Sequence, residues 1–132
     1  MNIQLKKFNP RNMGDDKVCV FIGKRGTGKS TLIVDVLYHK RHIPSGVIIS
    51  ATEEGNHFYS KYLPDLFVHS DYNKDIIENI IDRQKKMINS KYKDKCNSFI
   101  LLDDCMYDKK FLKDTCIRQC FMNGRHWKLF FM

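Results

Sequence analysis

No apolar run in these 132 residues approaches the ~18 residues that a membrane-spanning helix requires. The opening stretch MNIQLKKFNPRNMGDD also lacks the apolar core of a secretory signal. These two absences lead to the expectation of a soluble, intracellular protein with no membrane partner. Low-complexity tracts and internal repeats are missing as well, which excludes fibrous and solenoid architectures. Cysteine comes in an odd number, five: Cys19, Cys96, Cys105, Cys116 and Cys120. Without a secretion signal, that count argues for reduced thiols. No second ligand pair with zinc spacing accompanies Cys116 and Cys120, so despite nearby His126 they are read as small core residues of a helix. His39 and His42, in a basic helix-end segment, are read as solvated.

What is present suits a single domain with a genuine core, of ordinary globular composition. The net charge is +8, from 23 basic and 15 acidic residues, which favours polyanionic partners, nucleic acid first. The lysines are densest in DRQKKMINSKYKDK, Asp82–Lys95. A solvated surface and a nucleic-acid contact through Lys85, Lys86, Lys91 and Lys93 both remain open there.

Apolar strands alternate with helices along the chain. KVCVFI (Lys17–Ile22), GVIIS (Gly46–Ser50) and SFILL (Ser98–Leu102) read as buried strands, LFVH (Leu66–His69) as a short one, and WKLFFM (Trp127–Met132) as a last one. Helices are expected at Ser30–Lys40, at Asp75–Ile88 and within Lys109–Met122, the last stopped by Asn123-Gly124. In Asp75–Ile88, Ile76, Ile77, Ile80, Ile81, Met87 and Ile88 share one face. Residues 51–64 read as a loop with one helical turn. The pattern predicts an α/β fold with a mainly parallel sheet covered on both faces, and ligands at the carboxyl ends of its strands.

FIGKRGTGKST sits on that edge. Gly23, Gly28, Lys29 and Ser30 fit G-x-x-x-x-G-K-[ST], the P-loop pattern. The glycines let backbone N–H groups turn inward around phosphate oxygens, and the following helix points its positive dipole end at the same anion. Lys29 would reach the β and γ phosphates, and Ser30 would bind Mg²⁺. Lys24 and Arg25 occupy variable loop positions and are read as facing solvent. FILLDDCMYD then delivers Asp103 and Asp104 to the same edge, Asp103 to hold Mg²⁺ through water and Asp104 to orient or deprotonate an attacking water. Capping of the next turn is the plainer alternative for this pair. A guanine-specific N-K-x-D motif is missing after Asp103, so ATP is the expected nucleotide. Glu53 and Glu54 lie on the same edge and are read in the first place as solvent-facing loop acids.

MGDDKVCVFIGKRGTGKSTLIVDVLY, SATEEGNHFYSKYLPDLFV, FILLDDCMYDKKF and IRQCFMNGRHWKLFFM together resemble the genome-packaging ATPases of nucleocytoplasmic large DNA viruses. These are a viral branch of the FtsK/HerA DNA-pumping motors. The resemblance implies a P-loop NTPase three-layer sandwich, with residues 1–16 as a lead-in and 17–132 as an ATPase domain that ends before the family's polar sensor residue. It implies that Gly23, Lys24, Arg25, Gly26, Thr27, Gly28, Lys29, Ser30 and Thr31 form the nucleotide loop. It further implies ATP with Mg²⁺ as cofactor and Lys29 and Asp104 as catalytic residues, with Ser30 and Asp103 on the metal. Arg125 matches the family's arginine and would act on a neighbour's ATP in a homo-oligomeric ring. Double-stranded DNA and capsid or portal proteins are the implied partners, in the host cytoplasm or the virion. The final strand would lie between the P-loop strand and the Asp103 strand. A nucleotide-binding remnant that does not hydrolyse, or a small-molecule kinase, are the alternatives.

Overall fold

The structure is a computed structural model and describes residues 2–107 and 109–132; Asp108, the last residue of FILLDDCMYD, lies outside them. Eight elements follow one another: α1 (Lys29–His39), β1 (Ser45–Ser50), α2 (Glu53–Asn56), β2 (Val68–His69), α3 (Lys74–Ile88), β3 (Ser98–Asp103), α4 (Thr115–Asn123) and β4 (Leu129–Phe131), with short 3-10 turns between them. The strands form one sheet in the order β2-β1-β3-β4, and every pairing is parallel. This is an α/β fold with helices packed on both faces of the sheet.

The period of two along each strand sorts the core. Val47, Ile49, Ile100, Leu129 and Phe131 pack with Ile77 and Ile81 of α3 and with Cys116, Ile117 and Cys120 of α4. Ile48, Phe99, Leu101, Phe130 and Met132 pack on the other face with Ile33 and Val36 of α1 and with Tyr59. Phe99 and Leu101 share the α1 face, so the alternation directs Asp103, two residues on, to that face as well. Register is pinned where Gly46 pairs with Phe99: a β-carbon at residue 46 would run into the Phe99 ring. Cys116 and Cys120 are small buried residues of the helix layer, and the five thiols are free.

Three expectations need correction. Lys17–Ile22 is not a buried strand: it makes a single parallel bridge, Val18 to Phe131. The bridge is closed by Cys19 N–H to Phe131 O (2.8 Å) and Phe131 N–H to Lys17 O (3.0 Å). With β4 on one side, Cys19 and Phe21 turn to the α1 core, while Val20 and Ile22 remain 66% and 92% exposed. The segment nevertheless lies where the resemblance puts it, with β4 between it and β3. Second, α4 ends at Asn123 with Gly124 as its cap, as expected, but Gly124 then starts a 3-10 turn, Gly124–Trp127, and Lys128 takes the left-handed conformation at φ 53°. The last strand therefore begins at Leu129 rather than Trp127. Third, the buried face of α3 includes Gln84 as well as its isoleucines. Gln84 Nε2 donates to the carbonyls of Cys96 (2.8 Å) and Trp127 (2.9 Å), tying the helix to the segments that enter β3 and β4.

The N-terminal segment is fixed by charge. Lys40, at the end of α1 and 4% exposed, donates to Met13 O and to Asp15 Oδ1 (2.8 Å) and lies over the Phe130 ring. His42 is exposed, as expected, but its Nε2 lies 2.6 Å from Asp15 Oδ2. Among the described residues no helix is long and apolar enough to cross a membrane.

Candidate functional site

The glycine loop runs from the end of the Lys17–Ile22 segment into α1. Gly26 (φ 78°) and Gly28 (φ 89°) adopt left-handed backbone, which other residues enter at a cost. Thr27 Oγ1 donates to Lys24 O at 2.7 Å and closes the turn. Lys29 opens α1 and folds back, its Nζ donating to Gly23 O (2.8 Å) and Lys24 O (3.1 Å). Lys24, Arg25, Gly26, Thr27, Gly28 and Thr31 are exposed, and Lys29 and Ser30 half-buried. The first N–H groups of a helix have no intrahelical partner, so this exposed end of α1 offers donors and a positive dipole.

Asp103 closes β3 on the same face. Its carboxyl is raised by burial and by the neighbouring charge of Asp104, against the opposing pull of a Tyr59 hydrogen bond and Lys29. Lys29 and Asp104 are thus close enough to act on it electrostatically. Asp104 is exposed and sits in left-handed backbone at φ 54°, a turn that lifts its carboxylate off the sheet. A cavity of about 710 Å³ is lined by Gly23, Lys29, Asp103 and Asp104 together with apolar residues that include Val20, Ile22 and Phe131.

Sequence reasoning missed Tyr59. Its ring is 1% exposed, and its hydroxyl donates to Asp103 Oδ2 at 2.7 Å. Burial first, and then this carboxylate, push the phenol far above its ordinary range, while the nearby Ser30 hydroxyl pulls the other way. One buried phenol therefore bonds the Asp103 carboxylate and lies near Ser30, the other polar group expected to hold a metal. The expectation for Glu53 is corrected at the same place. It is 5% exposed, and its carboxylate accepts from Tyr59 N–H (2.9 Å), Ser60 N–H (2.8 Å) and Ser60 Oγ (2.7 Å). Burial raises this carboxyl, but those three donors outweigh burial and leave it below its ordinary value. Glu54 is exposed, as expected. No local spacing marks Tyr59, because the carboxylate it meets lies 44 residues away.

Among the described residues no group of three or more His, Cys, Asp or Glu side chains converges as metal ligands. Ser30 and Asp103 form an oxygen donor set that is short by itself. It suits a hard cation that keeps most of its shell as water and phosphate oxygens, the habit of Mg²⁺. Arg125 is not brought to this group. It lies in the turn before β4, on the opposite edge of the sheet, 3.7 Å from Asp16 and with its side chain 76% exposed.

Similar proteins come from viruses. The chain is 44% identical over 131 residues to uncharacterized protein 075L of Invertebrate iridescent virus 6, a match that covers 98% of this chain and 50% of that one. It is 38% identical over 134 residues to uncharacterized protein L437 of Acanthamoeba polyphaga mimivirus, covering 96% and 47%. Uncharacterized protein 015R of Frog virus 3 is 40% identical over 134 residues, covering 96% and 41%. The chain thus spans about half the length of the curated relatives it matches. No protein-family model matches it, and no solved structure does.

Proposed function

We propose that this chain carries the ATP site of a viral DNA-packaging motor, a P-loop ATPase that drives double-stranded DNA into a capsid. The observation that carries the reading is the meeting of the Gly23–Thr31 loop and Asp103 at one sheet edge, where Gly23, Lys29, Asp103 and Asp104 line one cavity. The relatives in large DNA viruses and the position of β4 beside the loop segment support it.

In this reading the exposed loop N–H groups orient the phosphates, and Lys29 gives up its two loop carbonyls to face the β and γ oxygens. Ser30, and Asp103 through water, would hold Mg²⁺, whose charge would offset that of the phosphate oxygens. Asp104, turned out to solvent, orients the attacking water. Arg125 serves the site of a neighbouring subunit in a homo-oligomeric ring, released from Asp16 to do so. Lys85, Lys86, Lys91 and Lys93, all exposed, supply a salt-dependent and sequence-independent attraction for duplex DNA. Capsid or portal proteins are the remaining partners, in the host cytoplasm or the virion.

Calorimetry and a phosphate-release assay on three chains test this. The unaltered chain binds Mg-ATP. Lys29→Ala brings binding below detection, and Asp104→Asn leaves binding within about twofold while depressing hydrolysis by the 10²-fold or more typical of a lost acid–base group. Unchanged ATP affinity in the Lys29 variant would falsify the phosphate-site reading. Binding by the unaltered chain with no hydrolysis that Asp104→Asn can lower would favour a nucleotide-binding module instead.

A further inference from the structure

Tyr59 is a buried group whose hydroxyl bonds the metal-side carboxylate of Asp103, and nothing in the P-loop pattern calls for a tyrosine. We infer that Tyr59 is a positioning residue for the cation, a deepening that rests on the function proposed above. Its phenol holds one oxygen of the Asp103 carboxylate, so that side chain is oriented before any cation arrives, and the Ser30 hydroxyl lies nearby. The phenol is in turn held from behind. Glu53 accepts from the backbone of Tyr59 and Ser60 and from the Ser60 hydroxyl, which locks the segment after α2. The Phe58 ring stands edge-on to Tyr59 at 4.9 Å.

The physical need is clear from the donor set. Asp103 and Ser30 are few ligands for a cation, and a carboxylate at a strand end can rotate about two bonds. A donor to Oδ2 removes that freedom and leaves the second oxygen to hold hydrated Mg²⁺. Outer partners of this kind are worth about 10–100-fold in metal affinity. Tyrosine suits the task because its ring is anchored in the α1-face core while only the hydroxyl reaches the polar edge.

The test is the Mg²⁺ concentration at which ATP binding is half enhanced, read by calorimetry with Mg²⁺ titrated from zero. Tyr59→Phe keeps the ring and removes the hydroxyl. It is expected to raise the half-point about 10–100-fold, with ATP affinity in EDTA and the melting curve close to those of the unaltered chain. Glu53→Gln keeps the hydroxyl but loosens its support, and is expected to shift the half-point in the same direction by less. It is the variant that decides if Tyr59→Phe fails to fold. A half-point within twofold of the unaltered chain in whichever variant folds overturns the role of Tyr59 and leaves the phosphate site standing. An unaltered chain whose ATP binding does not respond to Mg²⁺ overturns both.

Discussion

At the N-terminal ends of the strands, Lys40 and Gln84 are buried and hydrogen-bonded within the chain, Lys40 to Met13 O and Asp15, Gln84 to the carbonyls of Cys96 and Trp127. At the C-terminal ends, Lys29 donates only to carbonyls of its own exposed loop, Ser30 is half-buried, and Asp104 points to water. Both edges carry charge, but it is used differently. Polar groups at the first edge complete the fold and would gain nothing from a ligand. Those at the second are arranged by the fold and still have bonding capacity to give. Tyr59 and Glu53 belong to the boundary between the two kinds, since they are buried and satisfied but what they hold in place is Asp103.

If that division is right, substitutions at the first edge change stability and leave ATP affinity alone. The largest effect is expected for Gln84→Ala, which leaves two buried carbonyls without their donor and opens a gap under α3. A loss of about 3 kcal/mol is expected in urea unfolding followed by circular dichroism. A loss below about 1 kcal/mol would mean that water replaces the amide easily, and Gln84 would not be the tie described.

A smaller, pH-dependent effect is expected at Asp15. Burial raises its carboxyl, but hydrogen bonds from Lys40 and His42, and their charge, more than offset this, so it titrates below its ordinary value. A carboxyl lowered on folding contributes stability above its unfolded pKa, and that contribution disappears as pH falls through the folded value. Asp15→Asn should therefore melt several degrees below the unaltered chain at pH 7, and the gap should close as pH drops below about 4. Melting temperatures across that range are the check. A constant gap would place the effect in packing rather than in the ion pair.

The smallest effect sharpens the comparison from the other edge. Asp104 holds left-handed backbone without being glycine, so Asp104→Gly should be neutral or gain about 0.5–1 kcal/mol. It should also remove the hydrolysis assigned to Asp104. Stability and activity would then move in opposite directions at one residue, which no N-terminal-edge substitution should do. A variant that lost stability would show that the carboxylate caps its own turn.

The fold was legible wherever local pattern and burial agree. β1 and β3 carry continuous apolar runs and α3 a periodic apolar face, and all three are found within a residue of their expected bounds. The Lys17–Ile22 segment has the same signal, but the sequence could not tell that it makes only one bridge, because the number of neighbours is a tertiary property. Gln84 was missed because a polar residue on an apolar face looks like an interruption until the carbonyls it meets are known. At the site, Gly23–Thr31 and Asp103–Asp104 were legible through spacing, since phosphate chemistry constrains short stretches of chain. Tyr59 obeys no spacing rule. Its hydroxyl meets a carboxylate 44 residues away, and only the path of the loop after α2 brings them together.

The attachment of the glycine loop has a dynamic consequence. Two hydrogen bonds at Phe131 hold its leading segment to the sheet, whereas β3 is paired along both sides. Opening that bridge uncovers Cys19 and Phe21 on the α1 side, while Val20 and Ile22 already face solvent. The loop can swing as a flap on this short hinge while the Asp103 edge stays fixed, a local opening that breaks one bridge and the packing of two side chains rather than the sheet. A ligand gripped between flap and edge would draw the flap shut, and the tension would be felt first at β4, the strand that holds the hinge.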